Sequence, residues 1–408
     1  MLRRTRRAGV AAIAVVVLAL TGLVVPGAAT AADPDFYSTP ASLPAANGDL
    51  VRFEPSEFYL DPLKVVRSPA SVTRIMYRST DRHGTPIAVT GTVLEPRLPW
   101  SGSGPRPIVG YAVGTQGLGD QCAPSRQLAA GSEYEGLFIE GLLTRGYGVV
   151  VTDYQGLGTE GVHTYMSREV TGRAVLDSIR AAQRLPGSGL PTSGPVAITG
   201  YSQGGGAAAA AGELAASYSP ELKVRGIAAG AIPGDLAAVA RNLDGSLYFG
   251  FLGYAVAGLA ESYTIDTAGM LNAQGEQVID TLRGQCTVES IATFPFTRSR
   301  DLTHDGRAIT AHLDEEPYRT AVAEQLIGDG RRPAAPTLVT HSLLDDVIPY
   351  GVGRGVAQRW CGQGATLRLA TNTAPTHVGG AIASYPEVFA FLEARFAGLP
   401  MVSSCWRL

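Results

Sequence analysis

Lysine is almost missing: Lys64 and Lys223 are the only two, and charged residues of both signs make up just 17% of the chain, for a net charge of −3. No basic field exists to hold nucleic acid, and no acidic tail is present. Four cysteines, Cys122, Cys286, Cys361 and Cys405, are spread over 408 residues without a C-x-x-C pair, which argues against a metal centre. Repeats of solenoid length are absent, as are low-complexity blocks after the first 32 residues. The one long apolar run, VAAIAVVVLALTGLVV, is shorter than the ~18 to 20 residues that a spanning helix needs.

What is there begins with a leader. Four arginines, that apolar run and a small-residue stretch, PGAATAAD, make the three-part pattern of a secretory signal over residues 1–32, with cleavage expected after Ala31 or Ala32. Export would place the cysteines in an oxidising compartment, where three pairings are open. Sequential pairing would close two long loops, each stabilising by about 4 to 5 kcal/mol on the chain-entropy model.

The remaining chain is rich enough in apolar residues, 45%, to bury a large core. Residues 33–79 are proline-rich and read as irregular; RIMYRST, GTPIAVTGTVLEP and RPIVGYAV then read as short strands. From GYGVVVTDY onward, strands alternate with helices: Glu169 to Leu185, PVAITG, GGGAAAAAGELAASY, KVRGIAAGAI, APTLVTHS, ATLRLATN and GGAIASYPEVFAFLEARFAG. That alternation predicts a mainly parallel sheet covered by helices on both faces. Between about 233 and 332 it stops. GDLAAVARNL, YAVAGLAESY, GEQVIDTLRG and EPYRTAVAEQLIG have helical spacing, so a helical cap is expected over the carboxyl ends of the strands. The expected organisation is signal 1–32, core 33–232, cap 233–332, and core again over 333–408.

Within PVAITGYSQGGG, Gly-x-Ser-x-Gly falls between an expected strand and an expected helix. The spacing alone is weak in a chain with 50 glycines, but the context is that of a nucleophile elbow. Gly200 and Gly204 would let Ser202 occupy a strained corner with its hydroxyl exposed, and Gln203 would supply the first N–H of the following helix to an oxyanion. Of six histidines, His377 lies between the last strand and the last helix, where the base of such a site belongs. His341 reads as a strand-end structural histidine; His83, His163, His304 and His312 lie in polar loop contexts. HSLLDDVIPY offers Asp345 and Asp346 as the carboxylate that orients the base, Asp345 being preferred. A second oxyanion donor is expected from Thr115 or Gln116 in YAVGTQGLGDQCAPS. Asp153 and Tyr154 would brace the floor. SLYFGFLGYAVAGL could line an acyl tunnel or form the cap's own core.

These residues carry a resemblance. YAVGTQGLGDQCAPS, VVVTDYQGLG, GYSQGG, DDVIPY and THVGG, with DPDFYSTP and YRSTDRHGTPIAVTGTV, are similar to segments of the secretory lipase family, lipase A type, over essentially the whole mature chain. The resemblance implies an α/β-hydrolase core with a helical cap between nucleophile helix and acid loop, and hydrolysis of acyl esters including triacylglycerols. It also implies a triad of Ser202, Asp345 and His377, and disulfides pairing Cys122 with Cys286 and Cys361 with Cys405. By position it puts the oxyanion donor on Gln116, where yeast-type members carry an acidic residue. Bacterial-type members often have histidine where Val113 stands, and the choice between Thr115 and Gln116 stays open. No cofactor or metal is called for. The expected partner is a small acyl ester or lipid, with a lipid–water interface as its setting; neither nucleic acid nor an obligatory protein partner is expected. A short-chain esterase, an acyltransferase, a serine peptidase and a catalytically silent binding protein are the competing readings.

Overall fold

Two ten-residue strands, β2 (Ser71–Thr80) and β3 (Pro86–Glu95), pair in antiparallel register throughout, from Ser71 opposite Glu95 to Thr80 opposite Pro86. The Asp81 carboxylate closes their turn by accepting the N–H groups of His83 and Thr85, both at 2.8 Å. This computed structural model describes residues 34–408, so the expected signal over 1–32 lies outside the described residues.

Beyond the hairpin come β4 (Ile108–Ala112), β5 (Gly148–Thr152), β6 (Pro195–Tyr201), β7 (Lys223–Gly230), β8 (Thr337–Leu344) and β9 (Leu367–Pro375). With β1 (Leu50–Pro55) they form one nine-stranded sheet in the order β1-β2-β3-β5-β4-β6-β7-β8-β9. β5 meets β3 antiparallel, and every pair from β5–β4 to β8–β9 is parallel. β4 and β5 are buried along their whole length, which is why their sequences run apolar without alternation. β1 was not apparent in the irregular reading of residues 33–79. It is a half-buried edge strand paired only with β2, so its short stretch shows no clean alternation.

Neighbouring residues of β4 show the two covered faces. Gly110 packs against Ile179 of the helix Arg168–Gln183, while the Tyr111 ring lies 5.6 Å from Phe138 of the helix Gly136–Thr144. On the first face, Gly172 lets that helix press on Ala210 of the helix Gln203–Tyr218; on the second, Phe138 stacks on Phe389 of the helix His377–Phe396 at 4.7 Å.

Residues 231–336 contain helices and no sheet strand, among them Leu236–Leu243, Phe249–Tyr263, Ala273–Arg283 and Thr287–Thr293. Their apolar cluster includes Leu243, Phe249 and Leu282, and extends to Tyr201, Val347 and Ile348 on the sheet's carboxyl side. The helix expected from EPYRTAVAEQLIG covers only Tyr318–Ala323. Past it the Gln325 side chain turns inward, accepting from the Arg168 N–H at 2.8 Å and donating to the Tyr263 hydroxyl at 2.7 Å.

Candidate active site

β6 ends at Tyr201, and the helix Gln203–Tyr218 begins two residues later. Ser202, between them, has φ +61° and ψ −125°, a conformation that costs a non-glycine residue of order 1–3 kcal/mol. Close packing imposes it. A methyl group on Gly200 or Gly204 would overlap the Ala112 carbonyl of β4, and one on Gly205 would overlap the Gly230 carbonyl of β7. The Ser202 N–H donates to that same Gly230 carbonyl at 3.0 Å.

His377 is the first residue of the last helix rather than a loop residue, and Thr376 caps that helix by accepting from the Gly379 N–H at 3.2 Å. Its Nδ1 lies 2.9 and 2.8 Å from the two carboxylate oxygens of Asp345, which fixes the proton on Nδ1 and leaves Nε2 as the acceptor. Asp345 also accepts the N–H groups of Val347 (2.9 Å) and Ile348 (2.8 Å). Burial would raise its pKa, but the His377 hydrogen bond and charge, together with these backbone donors, hold it below the usual range. Asp346 takes a different group, accepting the backbone N–H of His377 at 2.7 Å. The Tyr201 hydroxyl donates to the His377 carbonyl at 3.1 Å, and the two rings lie 5.0 Å apart. His377 Nε2 is buried and has no hydrogen-bond partner among the described residues, Ser202 Oγ included. His341 is fully buried in β8 and bonded through Nε2 to the Ile348 carbonyl at 2.9 Å.

Thr115 and Gln116 are buried beside the elbow. The Thr115 carbonyl accepts from the Tyr134 hydroxyl (3.0 Å) and the Thr287 hydroxyl (2.6 Å), and the Gln116 carbonyl accepts from the Thr287 N–H at 3.0 Å. Thr287 follows Cys286, which is bonded to Cys122 (S–S 2.03 Å); the second disulfide joins Cys361 to Cys405. Asp153, also buried, accepts from Ser125 and Thr90, while the Tyr154 hydroxyl donates to the Val113 carbonyl at 2.9 Å.

His163, read from sequence as an ordinary loop residue, is fully buried here. Its Nδ1 donates to the Gln155 carbonyl and its Nε2 accepts from the Gln203 side-chain amide, each at 2.9 Å. Burial lowers its pKa to about 4, so it is neutral near pH 7. Nothing in its local sequence signals this, because the partner lies 40 residues away.

Ser202 lines a small apolar cavity. A second apolar cavity shares Leu236, Ala240, Leu252 and Ala255 with it. The helix Phe249–Tyr263 both lines these cavities and packs in the core of its own segment. Leu252, Ala255 and Val256 face the cavities, whereas Phe249, Tyr254 and Ala257 pack in the core of the helical segment. Among the described residues, no three of His, Cys, Asp and Glu are grouped as metal ligands.

A mainly parallel sheet, helices on both faces and a strand–serine–helix corner define an α/β-hydrolase. The structure of Candida antarctica lipase A in its closed state superposes with a TM-score of 0.78 at 24% identity, covering 91% of this chain and 87% of that one, a likeness of fold. Residues 123–404 match the secretory lipase model, and the chain belongs to that family. It is therefore a carboxylic ester hydrolase of the lipase type. Lipase 10 of Candida albicans is 28% identical over 398 residues, covering 91% of this chain and 82% of that protein. A Mycobacterium tuberculosis protein named as a probable inactive lipase is 29% identical over 388 residues, covering 90% and 83%.

Proposed function

We propose that this protein is a secreted serine lipase that cleaves acyl esters, triacylglycerols among them, through an acyl-enzyme on Ser202. The observation that carries the reading is the Asp345–His377 pair, whose Nε2 has no hydrogen-bond partner among the described residues and whose backbone carbonyl is held by Tyr201, the residue before the strained Ser202. Hydrogen bonds to a catalytic serine are often long before substrate binds. His377 takes the Ser202 proton as Oγ attacks the ester carbonyl, and the imidazolium is stabilised by Asp345. The oxyanion is met by the backbone N–H of Gln203, the first of its helix, and by that of Gln116. Gln116 is favoured over Thr115 because its N–H points opposite to the Thr115 carbonyl, which Tyr134 and Thr287 hold from the other side. His377 then returns its proton to the leaving alcohol and activates water to release the acid.

Two apolar cavities side by side, one of them lined by Ser202, favour long acyl chains over a short-chain esterase reading, since each buried CH₂ contributes about 0.8 kcal/mol. Exposed Leu343 and Leu344 before Asp345, and exposed Val378 beside His377, suit contact with a lipid surface. The helical segment 233–332 would then serve as a cap, and residues 1–32 as the export signal. Turnover of p-nitrophenyl esters from acetate to palmitate tests the reading. Ser202→Ala should abolish turnover while keeping the melting temperature, and the parent should favour chains longer than butyrate; activity confined to acetate and butyrate would defeat the lipase reading.

A further inference from the structure

Three consecutive residues, Glu133, Tyr134 and Glu135, each hold one of three consecutive residues in the loop beside Ser202. Glu135 accepts the Gly114 N–H at 2.6 Å and the Tyr111 hydroxyl at 2.9 Å. Tyr134 donates to the Thr115 carbonyl at 3.0 Å, and Glu133 accepts from the Gln116 side-chain amide at 3.2 Å. Glu133 also accepts the Glu135 N–H at 3.0 Å, so the two carboxyls are braced through one turn of backbone. Both are buried, and Glu133 Oε2 has no hydrogen-bond partner. Two adjacent acids out of water are costly for packing alone. Resting on the proposed reading of Ser202, we infer that Glu133–Tyr134–Glu135 is a positioning clamp: it occupies the Gly114 N–H and fixes the Thr115–Gln116 peptide so that the Gln116 N–H is aimed at the oxyanion.

The clamp holds best with a single negative charge. Burial raises the pKa of both carboxyls, and the charge of Glu135 raises that of Glu133 further. The other titratable groups facing them, Asp153, Tyr111, Tyr134, Tyr154 and Tyr385, supply no cation. Ionisation of the second carboxyl sets two unscreened charges against each other and loosens the loop.

The test is kcat and KM on p-nitrophenyl butyrate from pH 5 to 9, for the parent, E135A, E135Q, E133Q and S202A. E135A should lower kcat by roughly 10- to 100-fold, the usual range for an outer-shell partner, with KM nearly unchanged. E135Q, which can still accept the Gly114 N–H, should recover most of that loss. E133Q should flatten the alkaline limb of the kcat profile. Parental kcat in E135A, or an E133Q profile superposing on the parent's, overturns the clamp; if E135A does not fold, the E133Q profile decides. Turnover surviving in S202A overturns the reading of Ser202, whereas loss in S202A with parental behaviour in E135A and E133Q overturns the clamp alone.

Discussion

The side-chain amide of Gln203 donates to Nε2 of His163 at 2.9 Å, tying the loop after β5 to the residue that follows Ser202. Both partners are buried, so removing one leaves the other unsatisfied. His163→Leu should destabilise the protein by about 1–3 kcal/mol in urea unfolding and lower kcat. Adding Gln203→Leu should recover part of the stability, because an apolar pair leaves no orphaned donor. Additive losses in the double-mutant cycle would mean that the pair is not coupled.

The pH dependence of stability has two limbs. His163 has a folded pKa of about 4, below the ordinary value of ~6.5, so the unfolded chain binds more protons between these limits and stability falls as pH drops through them. Glu133 and Glu135 are shifted upward, so the folded chain holds protons that the unfolded chain releases above ~4.5, and stability falls as pH rises from there. In melting curves, His163→Leu should shrink the acid limb and Glu133→Gln the alkaline one. Unchanged limbs in the variants would assign them to other groups.

Ala255 lines the wall common to both apolar cavities. Ala255→Phe should fill part of both cavities and shift the ester preference toward short chains, by roughly tenfold for every two methylenes excluded. A chain-length profile identical to the parent's would place the acyl chain elsewhere.

Cys122 and Cys286 are 164 residues apart, and their bond draws the Thr287 contacts onto Thr115 and Gln116. Cys122→Ser with Cys286→Ser should lower stability by at most about 5 kcal/mol on the chain-entropy model, and kcat should fall more than KM rises. Lost stability with intact kcat would separate the disulfide from the loop's geometry.

The parallel sheet was legible because buried strands and their covering helices alternate in plain periodicities, as in GYGVVVTDY followed by Glu169 to Leu185. The strand–Ser202–helix corner was legible from glycines that only a tight corner needs, and the Asp345–His377 pair from chain order. β1 was hidden because an edge strand needs only one partner and half a buried face. The helix Thr287–Thr293 was hidden as well; it is seven residues long and follows the disulfide cysteine Cys286, its N-cap. His163, Glu133 and Glu135 gave no signal, since their meaning lies in partners brought near by the fold. Asp345 and Asp346 both meet His377, one at the ring and the other at the backbone N–H, a distinction set by one step of backbone.

The most direct measurement is a crystal structure of the protein treated with an alkyl fluorophosphonate, a mimic of the tetrahedral intermediate. The account predicts one covalent bond, from phosphorus to Ser202 Oγ, with the phosphoryl oxygen about 2.7–3.1 Å from the N–H groups of Gln203 and Gln116 and His377 Nε2 turned toward the ester oxygen. Phosphorus on any other residue, or an adduct whose oxygen meets neither N–H, would contradict it.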